Sequence, residues 1–334
     1  MKKWRAALVG CGLFGESHAA ALQGIPDVEL AAVFDTDQGK ARALASRFNV
    51  PAIVSNLDDL WCEGIDTVHV VTTESAHKEP VVAALRAGKN VLVEKPFATS
   101  LDDCRAMMEA AQDSRGILLV GHLLRFDLRY GYLREQALSG EFGRIVSVSA
   151  RRNRTRGGFA IYQRTHPGIC NSIHDIDLML SIVGSRVIRV RGFERRVYYG
   201  QNPDFFLGVL EFENGAVGEV KTCWLLPDAA GVALDDFMQV IGERGAGSVT
   251  LQPPALSFWN ETGNISPDYG YETRLFGSAQ GALLNEISYF YRCVRSGSQP
   301  EIITSAEATN AVRTALALLE SASFGRDVEL EEWT

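Results

Sequence analysis

The 334-residue chain carries 33 Lys and Arg against 41 Asp and Glu, a formal charge of −8, with 46% hydrophobic and 9% aromatic residues. Length and apolar content call for two packed domains, and the composition excludes disordered, collagen-like and coiled-coil classes. The acidic balance argues against nucleic acid or an anionic membrane as partner. Apolar runs such as 68–71 and 116–120 are far too short to span a bilayer, and residues 1–5 lead into a strand-like run, so the expected location is cytoplasmic. Six cysteines, at 11, 62, 104, 170, 223 and 293, form no C-x-x-C pair and no zinc-like spacing, so reduced thiols and no metal are expected.

In chain order, the apolar run 5–9 reads as a strand, and Gly10-Cys11-Gly12-Leu13-Phe14-Gly15 as a turn opening an Ala-rich helix. A second strand over 28–34 stops at Asp35, and 38–48 is an amphipathic helix. Strands over 67–71, 90–93 and 117–120 then alternate with helices over 79–87 and 101–113. This alternation predicts a doubly wound parallel sheet, an α/β Rossmann domain over 1–121. Beyond it, after a helix over 127–138, polar-alternating runs at 144–153, 187–197, 205–213, 216–224 and 236–241 predict a large, mainly antiparallel open sheet. Helices over 173–183, 283–294 and 305–321 complete an α+β domain over 122–334, expected to bind substrate and to oligomerise. Asn214-Gly215 signals a tight hairpin in which both residues take positive φ, a second hairpin is expected over 242–247, and Ser305 is read as an N-cap.

Gly10-x-Gly12-x-x-Gly15 follows a strand and opens a helix, and Asp35 lies 20 positions beyond Gly15 at the end of the next strand. That context is a dinucleotide site: Gly10 permits the turn, Gly12 admits the pyrophosphate, Gly15 allows close packing, and free N–H groups at Leu13 and Phe14 face the anion. The Asp35 carboxylate suits a ribose diol and repels a 2′-phosphate, so NAD is favoured over NADP, with Lys40 and Arg42 the nearest downstream bases.

Glu94-Lys95-Pro96 directly follows one strand, and Thr72-Thr73-Glu74-Ser75-Ala76-His77 ends another. Together with the glycine motif and Ile173-His174-Asp175-Ile176-Asp177, these resemble the Gfo/Idh/MocA family of sugar and cyclitol dehydrogenases over nearly the whole chain. The resemblance implies that Lys95 holds the substrate hydroxyl, that His174 exchanges its proton, and that Asp177 binds a neighbouring hydroxyl. It also implies a cofactor site that includes Thr72, Thr73, His77, Glu94 and Lys95, a cis bond before Pro96, and a homodimer or homotetramer. One position departs from the pattern: many members carry aspartate four residues before the histidine, where this chain has Cys170.

Arg151-Arg152-Asn153-Arg154-Thr155-Arg156, with Arg164 and His166, concentrates positive charge before the His174 segment. Such a run is either a solvated edge or subunit contact, or a phosphate site in which Arg152, Asn153 and His166 meet substrate beside Cys170. The second reading leads to a nucleotide-sugar branch, oxidation of a UDP-linked pyranose at C3. The alternatives are an inositol or free-sugar dehydrogenase, or a silent dinucleotide-binding sensor, against which the presence of both Lys95 and His174 counts.

Overall fold

The structure, a computed structural model, describes residues 3–61, 64–198, 201–230, 232, 234–260, 263–265 and 270–332. Cys62 lies outside them. The chain sorts into two compact units, Met1–Asp127 with Tyr269–Thr309, and Leu128–Asp268 with Asn310–Thr334. A single cut after residue 121 does not anticipate the return of 269–309 to the first unit.

The first unit runs β1 (Trp4–Val9), α1 (Leu13–Gln23), β2 (Val28–Phe34), α2 (Gln38–Phe48), β3 (Ala52–Val54), β4 (Thr67–Val70), α3 (Lys78–Arg86), β5 (Asn90–Glu94), α4 (Leu101–Asp113) and β6 (Leu118–Gly121). Its six strands lie parallel in the order β3-β2-β1-β4-β5-β6. Both faces are covered, which is why β4 and β6 are buried at every residue and read as continuous apolar runs. Helix starts follow side-chain chemistry: Asp37 accepts from Gly39 N at 2.9 Å to cap α2, and Ser100 accepts from Asp103 N at 3.2 Å to cap α4. Leu8, Val33, Leu44 and Phe48 join the first two strand–helix repeats in one cluster. Three-residue β3 is too short to have shown a period in the sequence.

The second unit contains α5 (Leu128–Leu138), β7 (Ile145–Thr155), α6 (Arg156–Tyr162), α7 (Pro167–Cys170), α8 (Ile173–Val183), β8 (Val187–Arg195), β9 (Phe205–Phe212), β10 (Val217–Leu226), β11 (Asp235–Gly242), β12 (Ala246–Thr250), and a short ladder of β13 (Phe258–Asn260) with β14 (Gly263–Ile265). The chain returns through β15 (Thr273–Leu275), β16 (Ser278–Gln280) and α9 (Ala282–Ser296), and the unit boundary falls within α10 (Ser305–Phe324), before β17 (Val328–Glu329). A seven-stranded sheet forms in the order β12-β11-β7-β10-β9-β8-β17. It is mostly antiparallel, but β10 lies parallel to β7, a pairing that alternation cannot distinguish because it sets faces and not directions.

Of three local expectations, two change and one holds. In the turn joining β9 to β10 only Gly215 takes positive φ, at 86°, while the Asn214 side chain accepts from Ala216 N, so the four-residue loop is not the symmetric primed turn. The hairpin over 242–247 forms, closed by Gly242 N donating to Gly245 O. Helix α10 is capped by Thr304 instead of Ser305: Thr304 Oγ1 accepts from Glu307 N, and Glu307 Oε2 accepts from Thr304 N at 2.8 Å, a reciprocal box. Among the described residues no helix is long and apolar enough to cross a membrane.

Candidate active site

Strand order reverses between β1 and β4, and open sheets bind ligands at such a point, beyond the strands' carboxyl ends. Val71 N donates to Val9 O at 2.8 Å and holds the two strand ends together there. The glycine turn leaves from this spot. Gly10 has φ 102°, and a Cβ on it would lie 2.4 Å from Val71 O; a Cβ on Gly15 would lie 2.3 Å from Gly10 O. The protein itself therefore demands glycine at both positions. Gly12 differs, because nothing lies within 4 Å of its Cβ position, so the open side of the turn is left to whatever approaches the start of α1. No side chain caps that helix, and its first N–H groups, including those of Leu13 and Phe14, suit an anion.

Asp35, at the end of β2, faces the same turn. Its Oδ2 accepts from Cys11 N at 2.7 Å and its Oδ1 from Asp37 N at 2.8 Å, which fixes the carboxylate beside the glycines. The residues present thus fit a dinucleotide: an open glycine turn, a helix start for pyrophosphate, and an oriented carboxylate for a ribose diol. Lys40 and Arg42 are exposed on α2. Burial, with the Asp35 charge beside it, pushes the Cys11 thiol up to about 12 and leaves it inert.

At the ends of β4 and β5 the remaining residues of the first unit converge. Thr72 is half-buried, Thr73 is exposed, and Lys95 is half-buried at the tip of β5. The Lys95–Pro96 bond is cis. Two expected cofactor contacts turn inward instead. His77 is 1% exposed and its Nδ1 lies 3.0 Å from Pro96 O; burial lowers its pKa, so it is neutral, donates that hydrogen bond, and ties the start of α3 to the Lys95 turn. Glu94 is 4% exposed, with Oε2 accepting from Lys95 N at 3.2 Å and Oε1 3.1 Å from His18 Nε2. Both are hydrogen-bonded to the backbone of the Lys95 turn.

In the second unit, α8 carries His174 and Asp177 one turn apart, 9% and 1% exposed. The sheet holds this helix from below. Ser172 Oγ lies 2.6 Å from Thr222 Oγ1, and Arg152 grips Asp175 with two hydrogen bonds, Nε to Oδ2 at 2.9 Å and Nη2 to Oδ1 at 3.0 Å. A third bond runs from Arg152 Nη1 to Asp236 Oδ2 at 2.8 Å, and Arg154 also bonds Asp236. Burial pushes the Asp175 carboxyl up to about 6, although Arg152 pulls it down.

This geometry corrects the reading of the arginine run. Arg152 is 2% exposed and paired with two carboxylates, while Arg151 and Asn153 both bond Asp235. Residues 151–154 thus form an ion cluster within the second unit and not an open phosphate cradle, while Arg164 is exposed. His166 caps α7, accepting from Gly168 N at 3.0 Å, and its Nε2 meets Glu194 at 3.0 Å. Cys170 is buried, with Sγ 3.8 Å from Thr165 O. The anchors Asp175 and Asp236 escaped the sequence reading. The signal was there: Arg152 continues the inward positions Val148 and Ala150, and Asp236 those of Met238 and Val240, so each charge falls on a buried face.

Comparison with known proteins adds independent findings. Residues 4–122 match the model of an oxidoreductase family with NAD-binding Rossmann fold, and residues 130–247 match the GFO/IDH/MocA C-terminal domain. The chain is 29% identical to a scyllo-inositol 2-dehydrogenase (NAD(+)) of Bacillus subtilis, over 98% of this chain and 96% of that one. It is 32% identical to an inositol 2-dehydrogenase of Saccharopolyspora erythraea, over 74% of this chain and 73% of that one. The crystal structure of a myo-inositol 2-dehydrogenase from Lactobacillus plantarum superposes with a TM-score of 0.86 at 23% identity, over 99% of this chain and all of that one, which speaks for the fold.

Proposed function

Because the chain belongs to the Gfo/Idh/MocA family of NAD-binding oxidoreductases, we propose that it oxidises a secondary ring hydroxyl of a free cyclitol or sugar. The observation that carries the choice of a free substrate over a nucleotide-linked one is the pairing of Arg151, Arg152 and Arg154 with Asp235, Asp175 and Asp236. Those guanidinium groups already answer carboxylates, of which Asp175 and Asp236 are fully buried, and a diphosphate would have to displace them. The inositol dehydrogenases among the relatives support the same preference.

The cofactor is NAD, bound by Gly10, Gly12, the N–H groups of Leu13 and Phe14, Gly15 and Asp35, with Thr72 and Thr73 beside it. When bound, it supplies the hydride acceptor. Lys95 holds and polarises the hydroxyl oxygen, His174 takes the hydroxyl proton, and Asp177 binds an adjacent hydroxyl. One C–H bond gives its electron pair as hydride, one O–H bond gives its proton to His174, and the ring carbon becomes a carbonyl. Asp175, gripped by Arg152, orients the helix that presents His174. A homodimer or homotetramer is expected, since exposed Phe193, Val217 and Ile241 share one face of the seven-stranded sheet.

The test is NADH formation from NAD with scyllo-inositol, myo-inositol and a UDP-linked pyranose as separate substrates, beside Lys95→Met. Turnover of a cyclitol, lost by about a thousandfold or more in the variant, supports the proposal. Turnover of the UDP-sugar alone refutes the preference for a free substrate, and a fully active Lys95→Met refutes the role of the lysine.

A further inference from the structure

Behind the Glu94-Lys95-Pro96 turn runs a line of buried polar side chains that the proposed chemistry leaves unused. Thr67 Oγ1 and Tyr291 Oη lie 2.9 Å apart, Tyr291 Oη is 3.3 Å from His69 Nε2, and His69 Nδ1 is 3.2 Å from His18 Nδ1. His18 Nε2 is 3.1 Å from Glu94 Oε1, and the line ends where Glu94 Oε2 accepts the backbone N–H of Lys95. Helix α1, strands β4 and β5 and helix α9 each contribute, and Thr67, His69, His18 and Tyr291 are 0% exposed.

Hydrogen-bond chemistry orders this line. An ionised Glu94 only accepts, so His18 Nε2–H donates to it. A neutral His18 then accepts at Nδ1, His69 Nδ1–H donates, and His69 Nε2 accepts from the Tyr291 hydroxyl. Each link holds one proton. Burial keeps His69 neutral and Tyr291 protonated, as that order requires.

Glu286 of α9 decides which carboxyl carries the charge. It is 0% exposed, and neither of its oxygens has a hydrogen-bond partner among the described residues. A Cβ added at Gly121 would lie 2.8 Å from Glu94 Oε1 and 3.2 Å from Glu286 Oε1, so both carboxyls crowd one point. Two such groups in the interior do not both ionise. Glu94 has two donors and Glu286 none, so Glu94 is the anion; burial and the Glu94 charge push Glu286 well up and keep it neutral.

We propose that His18 and Glu94 are positioning residues for Lys95: His18, in the tautomer set by His69 and Tyr291, holds the Glu94 carboxylate, and that carboxylate holds the Lys95 backbone. The proposal rests on Lys95 being the lysine that meets substrate. The glycine motif and the lysine motif are thereby one unit, joined by the residue three positions after Gly15.

The test uses the full chain with His18→Leu and His18→Gln, the glutamine amide standing in for the Nε2 donor. Hydrogen–deuterium exchange at the Lys95 amide needs no substrate; kcat and the KM for NAD with an inositol follow. His18→Leu is expected to speed Lys95 amide exchange and lower kcat by about tenfold or more each, with KM for NAD within about twofold, and His18→Gln to restore most of both. Where His18→Leu fails to fold, Glu94→Gln replaces it, since its amide then opposes either His18 or the Lys95 N–H. Unchanged exchange in the leucine variant, faster exchange with unchanged kcat, or no rescue by glutamine overturns the proposal. A wild-type enzyme that oxidises no polyol removes the proposed substrate class, while the exchange readout still decides the positioning.

Discussion

Replacing Arg152 by methionine removes the cation from two buried carboxylates at once. Asp236 retains Arg154, but Asp175 loses both of its charged hydrogen bonds in a fully buried place. Its carboxyl already stands at about 6 against 3.8, which corresponds to about 3 kcal/mol in favour of the neutral form even with Arg152 present. Breaking such a pair from one side costs about 3–5 kcal/mol. The sign with pH follows from the raised value. Stability contributed by Asp175 is complete below 3.8 and is lost as pH rises through about 6, so acid relieves the variant by protonating the stranded carboxyl. Urea unfolding followed by circular dichroism is expected to show Arg152→Met destabilised by about 3–5 kcal/mol at neutral to alkaline pH, with the loss shrinking by at least about 1 kcal/mol on acidification to the weakly acid range. A variant within about 0.5 kcal/mol of wild type, or one whose loss does not change with pH, refutes the account. A stable variant with weakened substrate binding would return Arg152 to the substrate.

Two further outcomes follow from the glycine turn. Asp35→Ser, which removes the charge facing a 2′-phosphate, is expected to lower the preference for NAD over NADP by about tenfold or more, read as the ratio of kcat/KM values; an unchanged ratio sinks the assignment. Cys11, with its thiol pushed up to about 12, is expected to resist iodoacetamide in the native protein near neutral pH and to react after unfolding, as mapped by peptide mass spectrometry; native modification would contradict its burial.

Much of this molecule was legible in its sequence because the signals are local. Strand period and the obligate glycines act within a few residues, so the run 4–121 showed all its main strands and helices except three-residue β3, and Gly10 and Gly15 are glycine because a Cβ there would lie 2.4 and 2.3 Å from a backbone oxygen. Lys95, His174 and Asp177 stood out by motif, and Asp35 by its distance from the turn. What a charged side chain faces is not local. Arg152 reads the same in sequence whether it meets solvent, phosphate or Asp175; only the pairing of β7 with β11 and the seat of α8 place it among buried carboxylates. His18, His69, Glu286 and Tyr291 are scattered over 274 positions, yet converge behind Lys95 because α9 returns to the first unit. Composition and period determined which segments fold and which face each side chain takes; the tertiary structure alone decided which charges meet, because that depends on strand order and chain return, which no local pattern encodes.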